Sequence, residues 1–122
     1  MKYVCLGYFE EKKWDAMSQR ERDAFTAERA ACDEALRNNC HKIGGASLQR
    51  VRTATTLRWE HGRVAVAEGP FAETREQLGG ILVLEANDLN HVIQLMSQHP
   101  GIRLGGCCEI RPIEELNPWN RA

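Results

Sequence analysis

The sequence lacks an excess of either charge, a long apolar run and any clustered metal-binding motif, and each lack closes off a class of function. Sixteen Lys and Arg stand against seventeen Asp and Glu, a formal net charge of -1. Between Glu10 and Arg37 acids and bases alternate closely and leave no basic stripe. Nucleic-acid binding normally leaves a clustered basic footprint, so no nucleic-acid partner is expected. No apolar run approaches the ~18 residues of a membrane span. The strand-like start, Tyr3 to Phe9, has neither the basic lead nor the cleavage site of a secretory signal. No membrane partner and no export are expected. Pairs of the C-x-x-C or H-x-x-x-H kind are missing, as are carboxylate–His groupings at ligand spacing, so no metal is expected. Glycine-rich nucleotide fingerprints are missing too, and no cofactor is expected. The five cysteines, Cys5, Cys32, Cys40, Cys107 and Cys108, are odd in number and unpaired in pattern. They read as free thiols of a reducing compartment, which points to the cytoplasm.

What is present is ordinary globular usage, 43% hydrophobic and 27% charged over 122 residues. A single domain over residues 1–122 is expected, with no repeat and no linker. Tyr3 to Phe9 reads as a strand. A charged approach, Glu10 to Asp15, leads to Ser18 and Glu21, which form an S-x-x-E capping box and start a helix that runs to about Arg37. Phe25, Cys32 and Leu36 lie on one stripe of it, and Asp33 and Arg37 form an i,i+4 pair. Asn38-Asn39 reads as a left-handed stop. Cys40 to Leu48 is a weaker strand broken by Gly44-Gly45. Thr53 to Trp59 and Arg63 to Ala67 flank His61-Gly62 as a hairpin. Ile81 to Ala86 is the strongest strand, Asp88 caps a second helix that Pro100-Gly101 ends, and Cys107 to Ile113 is the last strand.

Strand, helix, strand, hairpin, strand, helix, strand is the order of an α+β ferredoxin-like plait with an inserted β-hairpin. Two helices cover one face of such a sheet. The first strand, with Tyr3 and Cys5 on one side and Val4, Leu6 and Tyr8 on the other, is apolar on both, as is Ile81 to Ala86 apart from Glu85. Strands apolar on two faces are buried on two faces, so a homodimer is expected, with Val4, Leu6, Leu82 and Leu84 or their opposite-parity neighbours in its seam.

The block Glu68-Gly-Pro-Phe-Ala-Glu-Thr-Arg-Glu-Gln-Leu-Gly-Gly80 resembles the signature of the YCII-related DGPF family, with Glu68 where the family has Asp. Gly44-Gly45, Ala54-Thr55-Thr56-Leu57-Arg58, His99-Pro100 and Glu109-Ile110-Arg111-Pro112-Ile113 extend the likeness over nearly the whole chain. The resemblance implies a dimeric α+β barrel, two plaits packed sheet to sheet. It also implies either a small-molecule binding protein or cofactor-free lyase- or isomerase-like enzyme with an interface pocket, or a non-catalytic accessory module of an extracytoplasmic-function sigma factor. Within the signature loop, Phe71 and Leu78 are expected to wall a cleft in which Arg58 and Thr74 hold a small polar or anionic ligand, with Glu68 as the candidate proton acceptor. Each of the four histidines reads first as structural, His41 being the most noteworthy because it enters a strand. Trp14, Trp59 and Trp119 read as packing residues.

Overall fold

The computed structural model describes residues 1–115, and Trp119 lies outside them. The elements follow in the order β1 (Lys2–Phe9), α1 (Glu11–Ala16), α2 (Gln19–Asn38), β2 (Lys42–Ser47), β3 (Thr55–Glu60), β4 (Arg63–Glu68), β5 (Gln77–Glu85), α3 (Leu89–Met96), α4 (Pro100–Arg103) and β6 (Cys107–Pro112). A 3₁₀ turn over Val51–Thr53 precedes β3. Strands β2-β5-β1-β6 make one antiparallel sheet in that spatial order, and β3-β4 make a second sheet of two strands.

Local chemistry sets most of the boundaries. Ser18 and Glu21 close both bonds of the capping box, so α2 starts where the side chains satisfy its free N–H groups. Asp88 accepts from the His91 N–H at 2.9 Å and starts α3 in the same way. The β3–β4 turn takes left-handed φ at both centres, 52° at His61 and 76° at Gly62, which suits the twist of a tight hairpin. Three readings need correcting. The left-handed residue after α2 is Cys40, at φ 61°, not Asn38 or Asn39. The charged stretch before Ser18 is not a mere approach but contains α1. Pro100-Gly101 does not only end α3: Pro100 opens α4 at its first turn, where a missing N–H costs nothing, and His99 caps it.

The core lies between one face of the main sheet and the helices. Tyr3, Cys5, Leu36, Leu84, Ala86, Val92 and Met96 are its buried members. The pairing of Tyr3 with Leu84 and of Cys5 with Leu82 turns all four toward the helices.

The expected dimeric α+β barrel does not form. A barrel needs a sheet closed on itself. Here the main sheet is open, with β2 and β6 as its edges, and the hairpin stands as a separate ladder. The homodimer inferred with it has no support here, and the four residues named for its seam fall on two faces. Leu82 and Leu84 belong to the helix-covered side, whereas Val4 and Leu6 pair with Val83 and Ile81 on the other. That other side also carries Arg111 opposite Val4 and Glu109 opposite Leu6, so it is not an unbroken apolar face. The α+β composition stands, in two unclosed sheets.

Candidate functional site

One end of the helix-covered face is hollow because its strands carry almost no side chains there. Ser47 pairs with Gly80, Gly80 with Gly7, and Gly7 with Cys108, which makes a transverse row of small residues across all four strands. Gly79 is the extra residue of a β-bulge opposite Gly7-Tyr8. A Cβ there would lie 2.2 Å from the Phe9 ring, so only glycine lets that ring lie down on the strand. Above the row, α1, α2 and α4 arch over a cavity of about 920 Å³, within the usual size of a small-molecule site.

The walls divide by polarity. Trp14 and Phe25 meet edge to face, ring centroids 5.5 Å apart, and with Met17, Leu82 and Ile102 supply apolar wall. The charged lining is Lys13, Arg29, Lys42, Arg50 and Arg52 against Glu10, Glu11 and Asp33. All three acids are engaged. Glu10 takes Arg75 at 2.8 Å and Lys13 at 3.7 Å. Asp33 takes Lys42 at 2.6 Å and Arg37 at 3.0 Å. Glu11 accepts the Val51 N–H at 3.0 Å. Arg50 pairs with Asp15 and holds that carboxyl below its ordinary value. Arg29, by contrast, donates to the Ser47 hydroxyl at 2.6 Å and meets no carboxylate among the described residues.

His99 stands on the same wall, at the start of α4. Its Nδ1 accepts the Gly101 N–H at 3.0 Å, so in the neutral ring the proton sits on Nε2. Burial pushes its pKa down, the Arg29 charge adds to the shift, and Asp33 partly opposes it. Arg29 and His99 thus bring a guanidinium and a neutral imidazole N–H to one cavity, able to donate hydrogen bonds to an acceptor or anion.

Of the signature block, only Gly79 and Gly80 line this cavity. Glu68 ends β4 opposite Thr55 and is exposed. Arg58 donates to the Phe71 carbonyl at 3.3 Å, and the Phe71 ring is 75% exposed. The Thr74 hydroxyl donates to the Glu76 carbonyl at 2.5 Å. Leu78 sits half-buried opposite Tyr8. Arg58 and Phe71 are therefore together, through a backbone contact, and neither lines the hollow. Sequence reading missed Arg29 and took His99 for a structural residue. The available signal was Gly7, Gly45 and Gly80 inside strand patterns, since strand glycines mark bulges and close approaches. His41, the histidine singled out from the sequence, hydrogen-bonds the Glu85 carbonyl at 3.1 Å through Nδ1 and meets His91 edge-on at 4.9 Å between centroids. Among the described residues no group of three or more His, Cys, Asp or Glu side chains is placed to hold a metal ion, and no helix is long and apolar enough to cross a membrane.

The model of the YCII-related domain matches residues 1–117. A protein of Rhizobium meliloti (strain 1021), described only as uncharacterized, is 30% identical over 123 residues, which span 97% of this chain and 96% of that one.

Proposed function

The chain belongs to the YCII-related domain family, and from that premise we propose that it binds a small anionic molecule with an apolar body in the cavity above the Ser47–Gly80–Gly7–Cys108 row. The observation that carries the reading is Arg29, a cation on a cavity wall whose partner among the described residues is a hydroxyl and no carboxylate. Arg29 anchors the anionic group, His99 Nε2–H donates a second hydrogen bond, and the Trp14–Phe25 pair covers the apolar body. The ligand class is a monocarboxylate. An enzymatic version of the same reading, cofactor-free, would use His99 to move the proton. Free thiols at all five cysteines suit a reducing compartment such as the cytoplasm.

Calorimetric titration with a series of aliphatic and aromatic monocarboxylates tests the proposal. Native protein should bind at least one of them, and Arg29→Gln should weaken it about tenfold or more, the scale of a lost charge-assisted hydrogen bond. Equal affinity in both proteins, or no binding across the series, would remove the reading.

The accessory-module reading draws on a different observation. Leu57, Trp59, Val64 and Val66 form one exposed apolar side of the β3–β4 hairpin, a surface suited to a protein such as a sigma factor. Co-purification with such a factor that is lost in Trp59→Ser but kept in Arg29→Gln would favour it.

A further inference from the structure

We propose that Cys5 and Cys108, side by side in the cavity wall, are an oxidisable thiol pair that closes reversibly to a disulfide. On adjacent antiparallel strands Cys5 pairs with Ile110 and Cys108 with Gly7, so the two cysteines share one face, two residues apart along the ladder. Both line the cavity. Gly7, the residue after next from Cys5, has no side chain to stand between them. The nearness of the two thiols, together with burial, pushes the Cys5 pKa far up, while the same neighbour pulls Cys108 below its ordinary value. Cys108 is partly exposed where Cys5 is buried, so Cys108 is the sulfur that meets an oxidant first and Cys5 the one that resolves.

The other thiols lack this arrangement. Cys107 points to the opposite face, where its Sγ lies 3.1 Å from Glu76 Oε2 and the carboxylate raises its pKa. Cys32 is pushed up by burial and by the Asp33 charge. Cys40 is exposed in the turn after α2.

The chemistry balances with hydrogen peroxide as oxidant. The Cys108 thiolate attacks one peroxide oxygen, and the O–O bond breaks to leave a sulfenic acid and a hydroxide that takes a proton to become water. Cys5 sulfur then attacks the Cys108 sulfur, its own proton going to the departing hydroxyl, and a second water leaves. Two thiols lose two electrons and one peroxide gains them. Diagonal neighbours in a ladder have Cα atoms about 7–8 Å apart, wider than the roughly 4.4–6.8 Å of a relaxed disulfide. Closure therefore draws β6, a free edge strand, toward β1. The strain makes the bond easy to reduce, which is the character of a regulatory disulfide rather than a structural one.

Folded, fully reduced protein treated with hydrogen peroxide and mapped without reductant tests this. The expected product is a Cys5–Cys108 cross-linked peptide that a dithiol reopens. Cys5→Ser should leave Cys108 as a sulfenic acid trapped by dimedone, and Cys108→Ser should give no cross-link at all. A folded native protein that yields no Cys5–Cys108 peptide, or whose first-oxidised residue is Cys107, would overturn the proposal. Neither result bears on carboxylate binding, which is read with reduced protein.

Discussion

The two ends of the same sheet face are built to opposite purposes. At one end Tyr3 pairs with Leu84, both at 2% exposure or less, and Val92 and Met96 of α3 and Leu36 of α2 close over them. At the other end, four residue pairs further along the same strands, Gly7 pairs with Gly80 and nothing rises from the sheet to meet α2. The helix shows the same division: Leu36 near its C-terminus is buried, whereas Arg29 and Thr26, further toward its N-terminus, are exposed on the cavity wall. Side-chain size along two strands decides where the molecule is solid and where it is hollow. The packed end supplies stability, and the hollow end holds the cavity.

That division can be broken from either side. The largest effect is expected at Leu84, which has no exposed surface. Leu84→Ala should cost about 2–5 kcal/mol of unfolding free energy, the range for a leucine removed from a closed core, and urea denaturation measures it. A loss well under that range would mean that the packed end is not the stabilising one. Filling the hollow end should do the reverse. A Cβ at Gly80 meets its nearest atom, the Ala46 carbonyl oxygen, at 3.6 Å, an ordinary contact. Gly80→Val should therefore fold, change stability by no more than about 1 kcal/mol, and abolish monocarboxylate binding. Retained binding would place the ligand elsewhere.

The smallest effect is a pH dependence from His99. Its folded pKa lies below the ordinary 6.5 because the ring is partly buried beside Arg29. As pH falls, the unfolded chain takes up the proton first, so the unfolded state binds more protons across that window and stability falls with pH. The contribution is complete above the unfolded value and lost as pH drops through the folded one. His99→Asn keeps an N-cap for α4 and removes the titration. Its melting temperature should fall less than that of the native protein between neutral pH and about pH 5. Parallel curves would show that His99 does not titrate with folding.

The packed end was far more legible in the sequence than the hollow one. The capping box at Ser18, the N-cap at Asp88 and the apolar spacing of α3 are local signals, and α2 and α3 lie where those signals put them. Strand faces are fixed by register, which is not local. The bulge at Gly79 and the pairing of Cys5 with Leu82 decide which leucines face inward, and no single segment reveals them. For the same reason the apolar strands suggested a second subunit, when Leu82 and Leu84 were already claimed by the chain's own helices. The candidate site escaped because it depends on what is missing. The signature loop, rich in charged and turn residues, is the more conspicuous segment, whereas the cavity owes its volume to Gly7 and Gly80, and its cation comes from an exposed position of α2.

The most direct test is amide chemical-shift mapping of the reduced, isotopically labelled protein during titration with a monocarboxylate that binds. The shifts should centre on Gly7, Ser47 and Gly80, with the side-chain signals of Arg29 and His99 moving in step, while Leu57–Val66 of the hairpin and Thr74 of the signature loop stay in place. Shifts confined to Arg58, Phe71 and Thr74, with the glycine row unmoved, would contradict the assignment of binding to the hollow end of the sheet.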